Sequence, residues 1–292
     1  MKIIDRPDLR SMSTLRMGGR AASAVYLENI RDLEKLQTIC SELGQDILVV
    51  GRGSNILFQD GERDLVLLSW AGRSETRIIK QFHNDVLVSV DAAQSLPGFL
   101  RWCAVRGLSG LEGLAGIPGT VGGAVAMNAG SYGSETLAHI TGLTVWSLEH
   151  GVAELDKEDF TYSYRKFKIN YDYSQYIIIR ASFQLTQAKP RDVRDRIKEN
   201  YLKKKLTQPV LEQTAGCVFK NPSHNMAAGQ LLDKAGMRGR ARKNACFSGR
   251  HANFLINMGG AESSEALDLI NEATEKVRKK FEVNLELEIR VI

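Results

Sequence analysis

The stretch that decides the fold is "GLSGLEGLAGIPGTVGGAVAMNAGSYG", residues 107–133. Glycine recurs at 107, 110, 113, 116, 119 and 122. Three is the collagen period, but a triple helix needs a far longer run with proline between the glycines. The other source of such a composition is a loop whose backbone approaches another group closely. The glycine- and alanine-rich half, 115–133, leaves few side chains in the way of a ligand. A second glycine-rich turn, "VVGRGSN" at 49–55, directly follows an apolar strand. Its Gly51, Gly53 and Ser54 would expose backbone N–H groups to a phosphate, as anion-binding loops do. Ile56 stands where a dinucleotide fingerprint needs its third glycine, and the GK[ST] of a P-loop is missing. A simple tight turn explains this segment equally well. Two such loops in one chain suggest a ligand with a diphosphate, such as a dinucleotide.

Around these loops helices and strands alternate. "RDLEKLQTICSEL" sets Leu33, Leu36, Ile39, Cys40 and Leu43 on one helical stripe, which makes Cys40 a core residue. "DILVVG", "DLVLLSW" and "DVLVSVDA" read as strands, and "LPGFLRWCAVRG" as a helix with Cys103 on its apolar side. "TGLTVWSLEHGVAEL" reads as two strands around a turn at His150-Gly151, and "YIIIRASFQLT" as a long strand. A helix opens at Pro190 and ends at Gln208-Pro209, near a domain boundary. "AAGQLLDKAGM" is a short helix closed by Gly236. "SSEALDLINEATEKVRKKF" is a serine-capped helix with Leu267, Ile270, Ala273, Val277 and Phe281 on one stripe. "VNLELEIRVI" alternates as a final strand. The fold class is α+β, with more than one domain.

The chain has 292 residues, a charge of +5 and four cysteines: Cys40, Cys103, Cys217 and Cys246. None form a CxxC, and no histidine stands at a ligand spacing, so no metal site is expected. A disulfide is not expected in a reducing compartment. No export signal and no apolar run of about 20 residues is visible, which points to the cytoplasm and away from a membrane. Lys203-Lys204-Lys205, with Arg194, Arg196 and Lys198 before it, is a solvated helix face or a weak polyanion contact. Arg165 in "YSYRKF" offers a planar fork suited to a carboxylate, though a mixed-charge surface strand has the same pattern. Glu288 falls on the polar side of the last strand. His251 and Asn253 in "RHANFLIN" read as a satisfied core pair or as site residues. Cys217 in "AGCVFKNP" is a buried filler or a reactive thiol.

"VVGRGSN", the 107–133 stretch, "YSYRKF", "AGCVFKNP", "RHANFLINMGGA" and "LELEIRVI" occur in the order found in the MurB family, and the chain resembles it nearly end to end. These are the FAD-dependent UDP-N-acetylenolpyruvoylglucosamine reductases of bacterial peptidoglycan synthesis. The length is similar to that of the shorter subclass, which lacks an extra substrate-covering insertion.

The resemblance implies a two-part FAD-binding domain of the vanillyl-alcohol-oxidase (PCMH) type over 1–200, with subdomains about 1–70 and 71–200. A C-terminal α/β substrate-binding domain would follow at 201–292, its last strand returning to the active site. The cofactors would be FAD and NADPH, and the substrate UDP-N-acetylglucosamine enolpyruvate. The enzyme would be a cytoplasmic monomer with no nucleic-acid or membrane partner. The family's catalytic positions fall on Arg165, Cys217 and Glu288, with Cys217 as proton donor, where relatives carry serine or cysteine. Gly216 would keep the backbone beside the thiol slim. The implied FAD contacts are Gly51, Arg52, Gly53, Ser54, Asn55, Gly116, Ile117, Pro118, Gly119, Thr120, Gly122, Gly123 and Ser131, with Tyr132 close by. Tyr164 and Asn221 match substrate-contacting positions, and one of Lys203 to Lys205, taken as Lys205, would meet the diphosphate. "GRARKNACFSGRHANF" is more basic than the family's usual stretch, and Thr207 stands where a basic residue is common. The alternatives are a related FAD-dependent oxidase on another substrate and a basic phosphate- or nucleic-acid-binding module.

Overall fold

An eleven-residue strand, Ile177–Gln187, carries the central sheet of the first part of the chain. Ala181, Phe183 and Leu185 are buried while Gln184 and Thr186 are exposed, the alternation of a strand with one face on a core. The computed structural model describes residues 1–292 except 44–45, 172, 174 and 224; the side chains of 37–43 and 46 are also outside the described set. Contacts divide the chain into two units. The first is Met1–Asp5, Ser23–Gly51 and Leu65–Lys203; the second is Arg6–Ala22, Arg52–Asp64 and Lys204–Ile292.

In the first unit, Ile177–Gln187 pairs antiparallel with Ile140–Ser147 on one side and Asp85–Asp91 on the other. Gly151–Asp156 and Thr76–Phe82 form the outer strands. A smaller sheet runs in the order Lys2–Asp5, Arg20–Leu27, Glu62–Trp70, Asp46–Val49. Helix α1 (Ile30–Leu43) buries Leu33 and Leu36 against Val25, Leu27, Val66 and Leu68. The Ile39, Cys40 and Leu43 part of its expected stripe lies outside the described residues. Helix α2 (Leu96–Arg106) is capped by the Ser95 hydroxyl, which accepts from the Gly98 N–H at 3.2 Å. Its Phe99 meets Phe183 at 5.0 Å between ring centroids, joining helix to sheet. The glycine-rich stretch is not loop throughout: Val121–Ala126 forms helix α3, capped by Thr120. Glycine is required within α3 for close packing, because a Cβ on Gly122 would lie 2.9 Å from the Ala92 Cβ. Helix α4 spans Pro190–Thr207.

The second unit has an antiparallel sheet in the order Gln213–Cys217, Phe254–Asn257, Ala245–Phe247, Ala241–Arg242. Helices α5 (Ala228–Lys234) and α6 (Ser263–Phe281) share its core. Leu15, Met17 and Leu57, from distant parts of the sequence, are buried in that same core.

The structure corrects the expected start of α6 and the expected final strand. The cap of α6 is Glu262, in a capping box with Glu265, and Ser263 is already helical. The Ser263 N–H and hydroxyl both donate to Asp60 Oδ2 at 2.7 Å, so a carboxylate 203 residues away does the work expected of the serine. The final strand is short: among the described residues only Arg290–Val291 is laddered, parallel to Ile56–Leu57, with an isolated bridge between Leu287 and Phe219. The residues before it make single main-chain bonds to 218–220 and no continuous ladder.

Glu112 follows α2 and is buried, accepting from Arg196 Nε at 2.9 Å, the Ser109 hydroxyl at 2.8 Å and the Gly110 N–H at 2.7 Å. Burial alone would raise its pKa; these donors outweigh burial and hold the carboxyl below its usual range. A lowered folded-state pKa stabilises above the unfolded value, and the gain is lost as pH falls through the folded value. Arg196→Ala should therefore move the acid-unfolding midpoint to higher pH. It should also cost about 1–3 kcal/mol at neutral pH, read from urea denaturation.

Candidate active site

In the first unit Gly51, two residues after the strand Asp46–Val49, meets the start of α3. A Cβ on Gly51 would lie 2.6 Å from Thr120 Oγ1, so only glycine lets the strand end sit against that side chain. Gly116 and Gly119 have φ of +80° and +111°, where glycine is unstrained. The first N–H groups of α3 are already used: Val121 donates to Gln94 O, Gly122 to Ala92 O, and Gly123 to Thr120 Oγ1. An anion held here must therefore take its donors from outside the first turn of α3.

Tyr164 and Arg165 form the tip of the hairpin Phe160–Ser163 and Lys166–Ile169. Arg165 has φ +55°, a left-handed conformation that costs a non-glycine residue about 1 kcal/mol. Its guanidinium donates to Gly130 O at 2.9 Å and Asn128 O at 3.4 Å, and stands 5.1 Å from the Tyr164 ring centroid. The fork is thus pinned at the residue preceding Ser131. Asn128, fully buried, holds the arrangement together. Its Nδ2 donates to Ser163 O and Glu135 Oε2, both at 3.0 Å, and its Oδ1 accepts from the Leu137 N–H. Sequence reading missed Asn128; its one signal was an asparagine, which tolerates positive φ, inside a glycine-rich run.

In the second unit Cys217 ends the strand Gln213–Cys217. Between Thr214 and Cys217 the register slips: three steps along this strand face two along its partner, from Ile256 to Phe254. This bulge turns Cys217 relative to the strand before it. Gly216, at its centre, has φ +84° and open space where a Cβ would be. Its positive φ demands glycine on conformational grounds alone. Beyond the bulge the Val218 carbonyl accepts from the Glu288 N–H at 2.8 Å, and the Lys220 N–H donates to Glu286 O at 2.8 Å. The Cys217 and Glu288 segments therefore lie side by side. Lys220 and Glu286 form an ion pair along the same seam. Asn55 joins from the other edge: its Nδ2 donates to Glu288 O at 3.0 Å and its carbonyl accepts from the Arg290 N–H at 2.9 Å. Asn221 Oδ1 accepts the Ala228 N–H at 3.0 Å and so starts α5.

Burial pushes Cys103 far up, and burial with Glu212 nearby raises Cys246, so both are held as neutral thiols. His251 has its pKa lowered by burial and by Arg238, and its Nδ1 accepts the Asn253 N–H at 3.2 Å. Of the basic residues, Lys204 is buried, Lys203 pairs with Glu199 at 2.7 Å, Arg196 with Glu112, and Lys205 is exposed. Arg238, Arg240 and Arg242 pair with Asp233, Glu272 and Asp268. A cationic face for a polyanion is thus largely answered by the chain's own carboxylates.

Known proteins share both parts of this chain. A family model described as UDP-N-acetylenolpyruvoylglucosamine reductase, C-terminal domain, matches residues 208–292, and one described as FAD binding domain matches residues 21–154. The UDP-N-acetylenolpyruvoylglucosamine reductase of Nitratidesulfovibrio vulgaris is 41% identical over 292 residues, covering 100% of this chain and 99% of its own. That of Oleidesulfovibrio alaskensis is 42% identical over 291 residues, covering 99% and 97%. The crystal structure of UDP-N-acetylenolpyruvylglucosamine reductase (MurB) from Thermus caldophilus matches with a TM-score of 0.84 at 30% identity, covering 100% of this chain and 99% of that one.

The conformational reading of Gly216 has a direct test. Gly216→Ala should lower stability by about 1–2 kcal/mol in urea denaturation, from left-handed strain alone. Gly216→Asn should recover most of that, because asparagine tolerates the conformation. Equal losses for both variants would show that space, and not φ, demands the glycine.

Proposed function

The chain belongs to the family of UDP-N-acetylenolpyruvoylglucosamine reductases, and from that premise we propose how its own residues carry out the reaction. The protein is an FAD-dependent reductase of peptidoglycan precursor synthesis, with UDP-N-acetylmuramate dehydrogenase activity. Residues 1–200 serve FAD and 201–292 the substrate, with the C-terminal tail contributing Glu288. The reductant is NADPH and the substrate UDP-N-acetylglucosamine enolpyruvate. The reaction runs in the cytoplasm, where nucleotide sugars and NADPH are made.

The residues present suit the flavin. Small residues and positive-φ glycines bring Gly51 against Thr120, which supports a backbone cradle for a diphosphate. Gly51, Arg52, Gly53, Ser54 and Asn55, Gly116 to Thr120 and Ser131 would hold it, with Gly122 and Gly123 beside it and their own N–H groups spent within the chain. When bound, FAD accepts a hydride from NADPH and delivers one to the terminal vinyl carbon of the enolpyruvyl ether.

Arg165 binds the substrate carboxylate. Negative charge grows on the enolpyruvyl group as the hydride arrives, and a guanidinium already held by Gly130 and Asn128 needs no reorganisation to meet it. Cys217 then donates its proton to the carbon bearing the ether oxygen. A thiol carries a proton that it can hand to carbon, as a general acid must. Glu288 polarises the enolate from the adjacent segment. Tyr164 and Asn221 line the substrate and Lys205 meets the diphosphate. The observation that carries this reading is the seam that sets the Cys217 and Glu288 segments side by side.

Purified protein should be yellow, with the visible absorbance band of a bound flavin. In Cys217→Ala, NADPH should still reduce the flavin, while turnover of the enolpyruvyl sugar falls about a thousandfold, within the usual range for loss of a general acid. Cys217→Ser should keep much of the activity. Near-normal turnover in the alanine variant would remove Cys217 from the chemistry.

A further inference from the structure

Resting on the functional reading above, we propose that Asn253 is a positioning residue that holds the proton-donor segment and the Glu288 segment in register. Asn253 is 2% exposed. Its carboxamide pairs with one residue twice: Oδ1 accepts the Phe219 N–H at 3.0 Å and Nδ2 donates to Phe219 O at 2.8 Å. Its own carbonyl accepts the Val218 N–H at 2.8 Å. Its own N–H donates to His251 Nδ1 at 3.2 Å, with the His251 ring edge-on to Phe254 at 4.9 Å. Both ends of the side chain and both main-chain groups are thus committed to one geometry.

The location explains why a side chain is needed. The strand Gln213–Cys217 follows its neighbour only as far as Cys217 opposite Phe254, and the bulge has already broken the regular spacing. Past Cys217 a regular ladder would supply main-chain partners for Phe219. Here the Asn253 carboxamide imitates a peptide group and supplies them instead. Phe219 is 1% exposed, so water cannot substitute. The opposite edge of the same segment carries the tail, through Val218 O to the Glu288 N–H and Glu286 O to the Lys220 N–H. A displacement of Val218–Phe219 therefore moves Cys217 at one end and Glu288 at the side together. The carboxamide touches none of the reacting groups; it acts through the segment it clamps.

Asn253→Asp keeps the shape and the acceptor for the Phe219 N–H but turns a second oxygen toward the Phe219 carbonyl. Asn253→Ala removes both bonds. Stopped-flow absorbance should show flavin reduction by NADPH within about twofold of the unaltered enzyme in both variants. Flavin reoxidation by UDP-N-acetylglucosamine enolpyruvate should slow about 10- to 100-fold, the size expected for a misplacement near 1 Å. The slowing should appear in kcat more than KM, and the solvent deuterium isotope effect on reoxidation should rise because proton delivery is the step disturbed. Wild-type reoxidation rates in the aspartate variant would overturn the proposal. So would a parallel fall of both half-reactions with flavin content, which would mean a structural role only. Should the alanine variant fail to fold, the aspartate variant alone decides. If the unaltered enzyme is reduced by NADPH yet never reoxidised by the enolpyruvyl sugar, the functional reading itself fails, and that result is distinct from either variant's behaviour.

Discussion

The second unit depends on satisfying the buried peptide groups of Val218 and Phe219. A main-chain N–H or carbonyl removed from water and left without a partner costs about 1–3 kcal/mol, and four such groups meet here. Each finds one: two in the Asn253 carboxamide, one in the Asn253 carbonyl, and one in the Glu288 N–H. The bulge at Gly216 makes this arrangement necessary, because it ends the ordinary ladder just where Cys217 turns away from it. The broken register before Cys217 and the side-chain partners of its buried neighbours thus belong to one irregularity. The tail is held in turn by Asn55, so the turn expected to serve the flavin is tied to the main chain of Glu288.

The first unit solves a similar problem with a cation. Arg165 occupies a left-handed backbone conformation at a hairpin tip, and Asn128, which organises its surroundings, does so as well at φ +40°. Such strain persists only where surrounding bonds over-determine it. Here they do: Asn128 bonds to the hairpin through Ser163 and to the following turn through Leu137, and its carbonyl with that of Gly130 receives the guanidinium. The guanidinium is thereby held in one place by the backbone around it.

Much of the architecture is legible without the fold. The strands 46–49, 85–91 and 177–187 and the helices 96–106 and 263–281 follow from runs of branched apolar residues and from a 3.6-residue stripe. The strand Thr76–Phe82 is not legible, because it is an outer strand exposed on nearly all its residues and so carries no alternation. Helix α3 resembles a loop in sequence because glycine and alanine spacing signals backbone freedom, while the packing against Ala92 that uses it is a tertiary fact. The start of α6 escapes local reading for the same reason: Asp60 takes the first N–H, and only folding brings it there.

What the sequence determined by itself was the type and order of most of the longer elements, the glycine-rich turns, and the family to which the chain belongs. Those follow from local periodicity, from side-chain type and from the resemblance of ordered motifs. Only the tertiary structure decided that segments 6–22 and 52–64 belong with the C-terminal unit, that Gly216 is required by its φ, and that Asn253 is a clamp. The physical reason is the same in each case. Buried hydrogen-bonding groups and core side chains choose partners by position in space, and the partners here stand 34 to 233 residues apart along the chain.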